Sequence, residues 1–288
     1  MSFREKVQSG KFIVTSEIGP PKGIDIKEML EDAELLRNKV DALNVTDLQS
    51  SVMRLGSLAV CWLLKEKGLE PILQVTCRDR NRLALQSDLL SAAVLGVENV
   101  LALTGDHPKL GDHPSAAAVF DLDSIQLLEV MKTLEEGKDM MGNALKGSPK
   151  FFAGAVVNPG AEPLEPELIK MEKKIRAGAK FFQTQAVYDI NRFTEFMKQI
   201  ESFRIPVFAG IVLLKSAGMA KYMNENVAGV SVPQELIDAM AKTKDKVATS
   251  VDIADRIIKA VKPICQGVHI MPIGWDKKVP LVLEAAGL

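Results

Sequence analysis

Short apolar runs rich in β-branched residues alternate with amphipathic stretches along the whole chain. Such runs are typical of buried strands, whereas apolar residues at three- and four-residue spacing are typical of helices. The predicted strands are FIVTSEI (12–18), ALNVT (42–46), PILQVTC (71–77), NVLALTG (99–105), FFAGAVV (151–157), FFQTQAV (181–187), PVFAGIVLL (206–214) and GVHIMPI (267–273). Helical patterns such as DIKEMLEDAELLRNK and PELIKMEKKIRAGA lie between them.

The spacing of these strands predicts a barrel. The early strands begin roughly 28 to 30 residues apart, which is the length of one β-α unit. Eight such units favour an α/β fold of the closed (β/α)8 TIM barrel type over an open sheet. The longest gap, 215–266, has room for at least two extra helices before the eighth strand, and MSFREKVQSG predicts a short helix that closes the lower end of the barrel. No linker or shift in composition divides the chain, so we expect a single domain over residues 1–288.

Composition narrows the classes of function. With 47% hydrophobic residues, 25% charged residues and a net charge of -1, the chain is typical of a soluble globular protein and shows no basic surface for nucleic acid or membranes. Its three cysteines lie far apart without C-x-x-C spacing, so we expect no metal site, iron–sulfur cluster or disulfide. There is no phosphate-binding G-x-x-x-x-G-K motif, no membrane-spanning apolar run and no signal-peptide core, and we expect a cytoplasmic protein.

The predicted strand ends carry more polar residues than a packing layer requires. In a (β/α)8 barrel, the side chains that do chemistry lie at the carboxyl ends of the strands and in the loops that follow. The polar or reactive residues at these ends are Glu17, Thr46, Asp47, Thr76, Cys77, Asp106, Asn158, Gln183 and Gln185. An unpaired buried carboxylate costs several kcal/mol, so Glu17 and Asp106 require a partner, a ligand or a proton.

Each of these residues also has a purely structural interpretation. Glu17 could be the solvated end of a strand, and Asp106 could cap the following loop through an Asx-turn. Either Gln183 or Gln185 could be a hydrogen-bonding residue of the barrel interior, and His269, in an apolar strand, is more typical of a buried, hydrogen-bonded histidine than of a ligand. The convergence of two carboxylates and an amide at one barrel mouth favours a functional site.

Five stretches, in collinear order, carry a family resemblance: VTSEIGPPKG (14–23), LQVTCRDRNR (73–82), NVLALTGD (99–106), KKIRAGAKFFQTQAVYD (173–189) and GVHIMPIGW (267–275). Together they resemble the methylenetetrahydrofolate reductases, in the short bacterial form, over essentially the whole chain. The resemblance implies a (β/α)8 barrel that carries FAD and reduces 5,10-methylenetetrahydrofolate to 5-methyltetrahydrofolate in a reversible reaction.

The resemblance also implies roles for individual residues. The folate ring opens when N10 takes a proton, and the iminium left at N5 then accepts a hydride from the reduced flavin. Glu17 matches the family's general acid, a role that requires a raised pKa near neutral pH. Asp106 matches the aspartate beside flavin and pterin, whose charge favours the iminium cation, and Gln185 matches the amide that recognises the folate ring. The matching flavin-binding positions are Thr46, Gln74, Gly105, Asp106, Phe120, Asp121 and Lys174.

Several positions depart from the family pattern. Gln74 stands where some members carry His, Thr104 where they carry Arg, and Val156 where they carry Tyr, so FMN remains an alternative to FAD. The loop GIVLLKSAGM (210–219) has no aromatic residue, and Ala217 falls where nicotinamide-dependent members place a Phe. The electron donor is therefore open between NADH, NADPH and a partner subunit with its own redox centres, and we expect an oligomer.

Two other classes of function remain open. One is a pterin-binding methyltransferase barrel without redox chemistry, and the other is a non-catalytic flavin- or folate-binding subunit of a larger complex. The visible absorption of the purified protein separates the first from a flavoprotein. Oxidation of methyltetrahydrofolate with an artificial electron acceptor separates the second from an enzyme.

Overall fold

The computed structural model describes residues 1–288, and its centre is a closed barrel of eight parallel strands in chain order. Strand β8 pairs with β1 and so closes the barrel. The strands are β1 (Ile13–Ile18), β2 (Ala42–Val45), β3 (Pro71–Thr76), β4 (Asn99–Leu103), β5 (Phe152–Val157), β6 (Phe181–Ala186), β7 (Val207–Val212) and β8 (Gly267–Met271). The predicted (β/α)8 barrel is confirmed, and each strand is one to three residues shorter than its apolar run.

Helices connect the strands and surround the barrel. They are α1 (Phe3–Gln8), α2 (Lys27–Leu35), α3 (Ser57–Glu66), α4 (Arg82–Val94), α5 (Ser124–Glu135), α6 (Glu165–Arg176), α7 (Ile190–Gln199), α8 (Ala217–Asn226), α9 (Gln234–Lys242), α10 (Lys246–Val261) and α11 (Val279–Ala285). Helices α8, α9 and α10 all lie between β7 and β8, which confirms the extra helices predicted there. None of the helices has the length and apolar character that a membrane span requires.

Helix α1 closes the amino-terminal end of the barrel. The Phe3 side chain is fully buried, and its ring lies 5.8, 5.4 and 6.3 Å from the rings of Phe152, Phe181 and Phe208. These rings belong to a cluster of nine buried apolar residues inside the lower barrel, separate from the large core between strands and helices. The predicted role of the opening helix is therefore confirmed, and the carboxyl end of the barrel is the end left for a site.

Removing this aromatic plug is expected to destabilise the whole barrel. Phe3→Ala leaves a cavity between three rings, which typically costs about 3–5 kcal/mol of unfolding free energy. Urea denaturation followed by circular dichroism measures the change, with Gln8→Ala on the exposed side of the same helix as the matched control. A loss below about 1 kcal/mol for Phe3→Ala would show that α1 does not close the barrel as described.

The three cysteines are buried free thiols. Burial raises the pKa of Cys77 to about 12 and that of Cys265 to about 11. Since the thiolate is the reactive form of cysteine, none of these residues is activated as a nucleophile at neutral pH. Cys61 packs in the main core, as its apolar helical surroundings predict.

Candidate functional site

A cavity of about 410 Å³ opens at the carboxyl ends of the strands. Six residues of the predicted site line it: Glu17, Gln74, Gly105, Asp106, Lys174 and Gln185. The three remaining candidates, Thr46, Phe120 and Asp121, lie outside this lining. These six residues come from four different strands or strand-end loops and one helix, and they lie up to 168 positions apart in the sequence.

A larger cleft of about 600 Å³ lies at the opposite end of the barrel and contains none of the predicted residues. Lys6 and Lys11 line it, and both pair with the Asp41 carboxylate at 3.0 Å. Asp41 also accepts a hydrogen bond from the backbone N–H of Val14. These charges are satisfied within the fold, so this cleft has a structural explanation.

Glu17 lies near the end of β1 and is buried rather than solvated. Its side chain is 12% exposed, and its carboxylate accepts a hydrogen bond of 3.2 Å from Gln49 Nε2. The imidazole Nε2 of His269 lies 3.6 Å from Glu17 Oε1. A buried carboxyl group with so few partners within the chain retains capacity to bind a further group in the cavity.

His269 belongs to a buried polar layer that crosses the barrel interior beneath the cavity. Its Nδ1 lies 2.9 Å from the hydroxyl of Thr15, which also accepts a hydrogen bond of 3.2 Å from Gln183 Nε2. Gln183 and Asn44 exchange two further side-chain hydrogen bonds of 2.8 and 3.0 Å. The structure confirms a hydrogen-bonded interior histidine and shows that Gln183 is the interior one of the two glutamines.

The proximity of His269 to Glu17 was not predicted. The two residues are 252 positions apart, and their meeting depends on the closure of β8 onto β1, where Thr15 pairs with His269. Thr15 and Glu17 are two residues apart in one strand and therefore point to the same side. The alternation of side chains within β1 could have predicted this contact, but only if the register between the first and last strands had also been known.

Asp106 lies three residues beyond the end of β4 and carries an exposed carboxylate. That carboxylate makes no hydrogen bond or ion pair within the chain, so the Asx-turn alternative is not what the structure shows. The backbone carbonyl of Asp106 instead accepts hydrogen bonds from Ser51 Oγ at 3.0 Å and Arg78 Nη1 at 3.4 Å. The loop is thus held by its backbone, and the charge at the cavity mouth is left free.

Gly105 is required by the path of this loop. Its φ is +91°, and a Cβ here would lie 3.1 Å from the Cβ atoms of both Thr76 and Arg78. A larger residue would be strained in its backbone and would displace the loop. Glycine therefore allows the β4 loop to pass directly over β3 and to place Asp106 at the mouth.

Arg78 is a supporting residue that the sequence did not distinguish from its charged neighbours. Its side chain is 2% exposed and pairs with Asp79 at 2.8 Å. It also donates hydrogen bonds to the backbone carbonyls of Leu48 and Asp106. Leu48 has a left-handed φ of 46°, so the guanidinium fixes strained backbone after β2 and ties it to the loop after β4.

Lys174 brings a cation to the side of the cavity. Its Nζ donates a hydrogen bond of 2.6 Å to the carbonyl of Val156, the last residue but one of β5. Burial lowers the pKa of Lys174, and the nearby Glu167 carboxylate partly opposes that shift. An anionic group in the cavity would restore the preference for the charged form.

The three candidates outside the lining lie in the surrounding layer. The hydroxyl of Thr46 is buried and has no hydrogen-bond partner. Asp121 accepts two side-chain hydrogen bonds of 2.9 and 2.8 Å from Arg82, whose guanidinium lowers the pKa of that carboxyl to about 2. Phe120 has a left-handed φ of 41°, and its ring lies 6.3 Å from that of His107.

Comparison with known proteins matches this chain to one family over nearly its whole length. The family model described as methylenetetrahydrofolate reductase matches residues 2–287. Methylenetetrahydrofolate reductase 2 of Schizosaccharomyces pombe is 26% identical over 309 residues, which cover 99% of this chain and 47% of the relative. The 5,10-methylenetetrahydrofolate reductase of Pectobacterium carotovorum is 26% identical over 190 residues, which cover 65% of this chain and 58% of the relative.

A solved structure shares the fold. It is described as an uncharacterized protein from Clostridium thermocellum that binds two copies of 5-methyl-5,6,7,8-tetrahydrofolic acid. The TM-score is 0.65 at 17% sequence identity, with 98% of this chain and 96% of the other covered. The chain spans about half the length of the curated relatives named above. The resemblance seen in the five sequence stretches is confirmed, and the chain belongs to the methylenetetrahydrofolate reductase family.

Proposed function

We propose that this chain, as a single catalytic domain over residues 1–288, is a flavoprotein oxidoreductase that reversibly reduces 5,10-methylenetetrahydrofolate to 5-methyltetrahydrofolate. The observation that carries the proposal is the pairing of two different carboxyl groups around one cavity in a chain of this family. Glu17 is buried beside His269, whereas Asp106 is exposed and unpaired. Two carboxyl groups in such different surroundings can take different parts in one reaction.

The residues around the cavity fit a flavin. The side-chain amides of Gln74 and Gln185 line it without hydrogen bonds inside the chain, so both are available to the polar edge of a ring system. The Thr46 hydroxyl is buried without a partner in the adjacent layer. Lys174 supplies a cation for phosphate. We propose FAD as the group, as the family resemblance implies. FMN stays the alternative, because these residues would contact only the ring and one phosphate region, which both flavins share.

A bound flavin supplies the hydride for the one-carbon unit, and the chain's residues act on the folate. Glu17 holds the proton that N10 of the folate takes when the ring opens. The negative charge of Asp106 stabilises the positive iminium that ring opening leaves on the folate. Gln185 donates and accepts hydrogen bonds at the pterin ring and so orients it. Bound folate, by filling the cavity that Glu17 lines, keeps water from competing for its proton.

Two measurements on the purified chain separate this function from its alternatives. The flavoprotein retains FAD or FMN after gel filtration and shows the visible bands of a bound flavin, whereas a pterin-binding methyltransferase stays colourless. The flavin-loaded chain then oxidises methyltetrahydrofolate with an artificial electron acceptor. A flavin-binding subunit without catalytic function would retain the flavin and fail this second measurement.

Our proposal for the electron donor rests on the loop after β7. Helix α8 begins there at Ala217 with Ser216 as its cap, and no aromatic residue lies in 215–221. The structure places Trp275, from the loop after β8, beside it, but the Nζ of Lys215 lies 5.9 Å above that ring. This cation covers one face of the indole, the kind of surface on which a nicotinamide would stack. We therefore propose that a partner protein with its own redox centres delivers electrons. We expect this assembly to be located in the cytoplasm.

The isolated, flavin-loaded chain is therefore expected to be reduced slowly by NADH or NADPH and rapidly by a reduced viologen dye. Stopped-flow absorbance of the flavin band measures both rates. Lys215→Ala uncovers Trp275 and serves as a control, since it tests whether this ring can replace the missing stacking residue. Reduction of the unmodified chain by NADH as fast as steady-state folate turnover would contradict the need for a partner.

A further inference from the structure

We propose that His269 is the positioning and proton-exchange partner of Glu17, which rests on the proposed role of Glu17 as the acid. The imidazole would return a proton to Glu17 each time the carboxyl group has given its own to the folate. This extends the site from one acid to a coupled pair in which the two residues share a proton. His269 itself need not touch the folate.

The geometry isolates these two groups from other ionisable side chains. Both are buried, with 4% and 12% of their side chains exposed, and their Nε2 and Oε1 atoms are 3.6 Å apart. His269 is the only basic group within 4.0 Å of the Glu17 carboxylate, and Gln49 supplies its one hydrogen bond. Farther out, Asp276 has a pKa raised by burial and by the charges of Asp32 and Glu17, while Lys215 acts in the opposite direction.

Thr15 allows the imidazole to exist in more than one protonation state. Its hydroxyl accepts from Gln183, which leaves one lone pair and one proton for other partners. With the proton directed at His269 Nδ1, 2.9 Å away, the ring carries its hydrogen on Nε2 and donates toward Glu17. With the proton directed instead at the Val268 carbonyl, 3.5 Å away, the hydroxyl accepts from Nδ1–H. Either state keeps Nδ1 hydrogen-bonded, while Nε2 faces Glu17 Oε1 at 3.6 Å.

The proton transfer balances within this arrangement. Glu17 gives its proton to folate N10 and becomes a carboxylate. The pair has then lost its shared proton, and His269 is a neutral imidazole with its hydrogen on Nδ1. After product leaves, water in the open cavity, which both residues line, protonates Nε2, and the imidazolium transfers this proton to Glu17 Oε1, which restores the acid. Methyltetrahydrofolate oxidation runs the same transfers backwards.

Nuclear magnetic resonance of the full-length chain labelled with 15N in histidine tests the coupling without any turnover. The chain has three histidines, and the exposed His107 and His113 act as internal references in the same spectrum. Glu17→Gln removes the carboxylate that faces Nε2, so the titration midpoint of His269 is expected to fall, whereas the references stay in place. An unchanged His269 midpoint would overturn the proposal.

A second variant tests the catalytic consequence. A coupled pair keeps its shared proton to higher pH than an isolated carboxyl group does. His269→Gln is therefore expected to move the alkaline limb of the kcat profile to lower pH with little change in KM for folate, and His113→Gln is the control. An unchanged pH profile of kcat in His269→Gln would overturn the role of His269 without affecting the proposed function. Full turnover in Glu17→Gln would instead overturn the proposed function, while the resonance measurement of the contact between the two residues would remain valid.

Discussion

Glu17→Gln is expected to lower folate turnover by about 10²-fold or more, which is the usual effect of losing a positioned acid. The amide keeps the size of the side chain, and its oxygen can still accept from Gln49. It has no proton to give to N10, so ring opening would depend on water, which the bound folate excludes from the cavity. Methyltetrahydrofolate oxidation with a viologen or quinone acceptor measures kcat, and gel filtration measures flavin retention.

Two variants make this result specific. Glu66→Gln removes an exposed carboxylate on α3 and is expected to leave turnover unchanged. Glu17→Asp retains a proton but withdraws it by one methylene, and we expect intermediate turnover. Near-normal kcat in Glu17→Gln with flavin retained would show that another group protonates the folate.

Asp106→Asn is expected to slow folate turnover on the order of 10²-fold, comparable to the loss of one preorganised electrostatic contact. The exposed carboxylate has no partner in the chain, so its charge acts directly on whatever occupies the cavity mouth. Removing it destabilises the iminium cation and raises the reduction potential of the bound flavin. Reduced flavin then becomes a weaker hydride donor, and folate reduction falls more than flavin reduction by a dye.

The neighbouring Asp112 offers a matched control for this experiment. It lies in the same loop but pairs with Lys22 and His113 and accepts the backbone N–H of Met53. Asp112→Asn is expected to loosen the loop without shifting the flavin potential. If the potential is the same in Asp106→Asn as in the unmodified chain, Asp106 does not lie beside the flavin.

The barrel was predictable because its strands are buried on both faces. Each strand then appears as a continuous apolar run, and the repeat of runs and helices fixes the order in which parallel strands pair. The ends were less predictable, since apolar residues continue past the last residue of a strand. Leu213 and Leu214, for example, are buried beyond the end of β7.

The residues of the candidate site were predictable where the position of a residue along its strand is enough to place it at the barrel mouth. Glu17 and Gln185 line the cavity because the carboxyl ends of all barrel strands meet at one mouth, whereas Gln74 was assigned through the family resemblance. Contacts between distant parts of the chain were not predictable in this way. His269 meets Glu17 through the closure of the barrel, and Arg78 is buried between the loops after β2 and β4.

Positions in the surrounding loops were the hardest to assign. Phe120 and Asp121 lie in the long segment between β4 and α5, where no periodic pattern indicates a direction for a side chain. The structure uses Asp121 to hold Arg82 at the start of α4. Their assignment to flavin binding, like that of Thr46, stays a prediction that flavin affinities of Phe120→Ala and Asp121→Asn will test.

The most direct test of the proposed function is the reaction of the flavin-loaded chain with 5-methyltetrahydrofolate under anaerobic conditions. Stopped-flow spectroscopy follows the visible band of the oxidised flavin, and chromatography follows the folate product. The account predicts that the band bleaches on mixing and that one methylenetetrahydrofolate forms for each flavin reduced. A chain that retains no flavin, or a bound flavin that keeps its full absorbance in the presence of methyltetrahydrofolate, would contradict it.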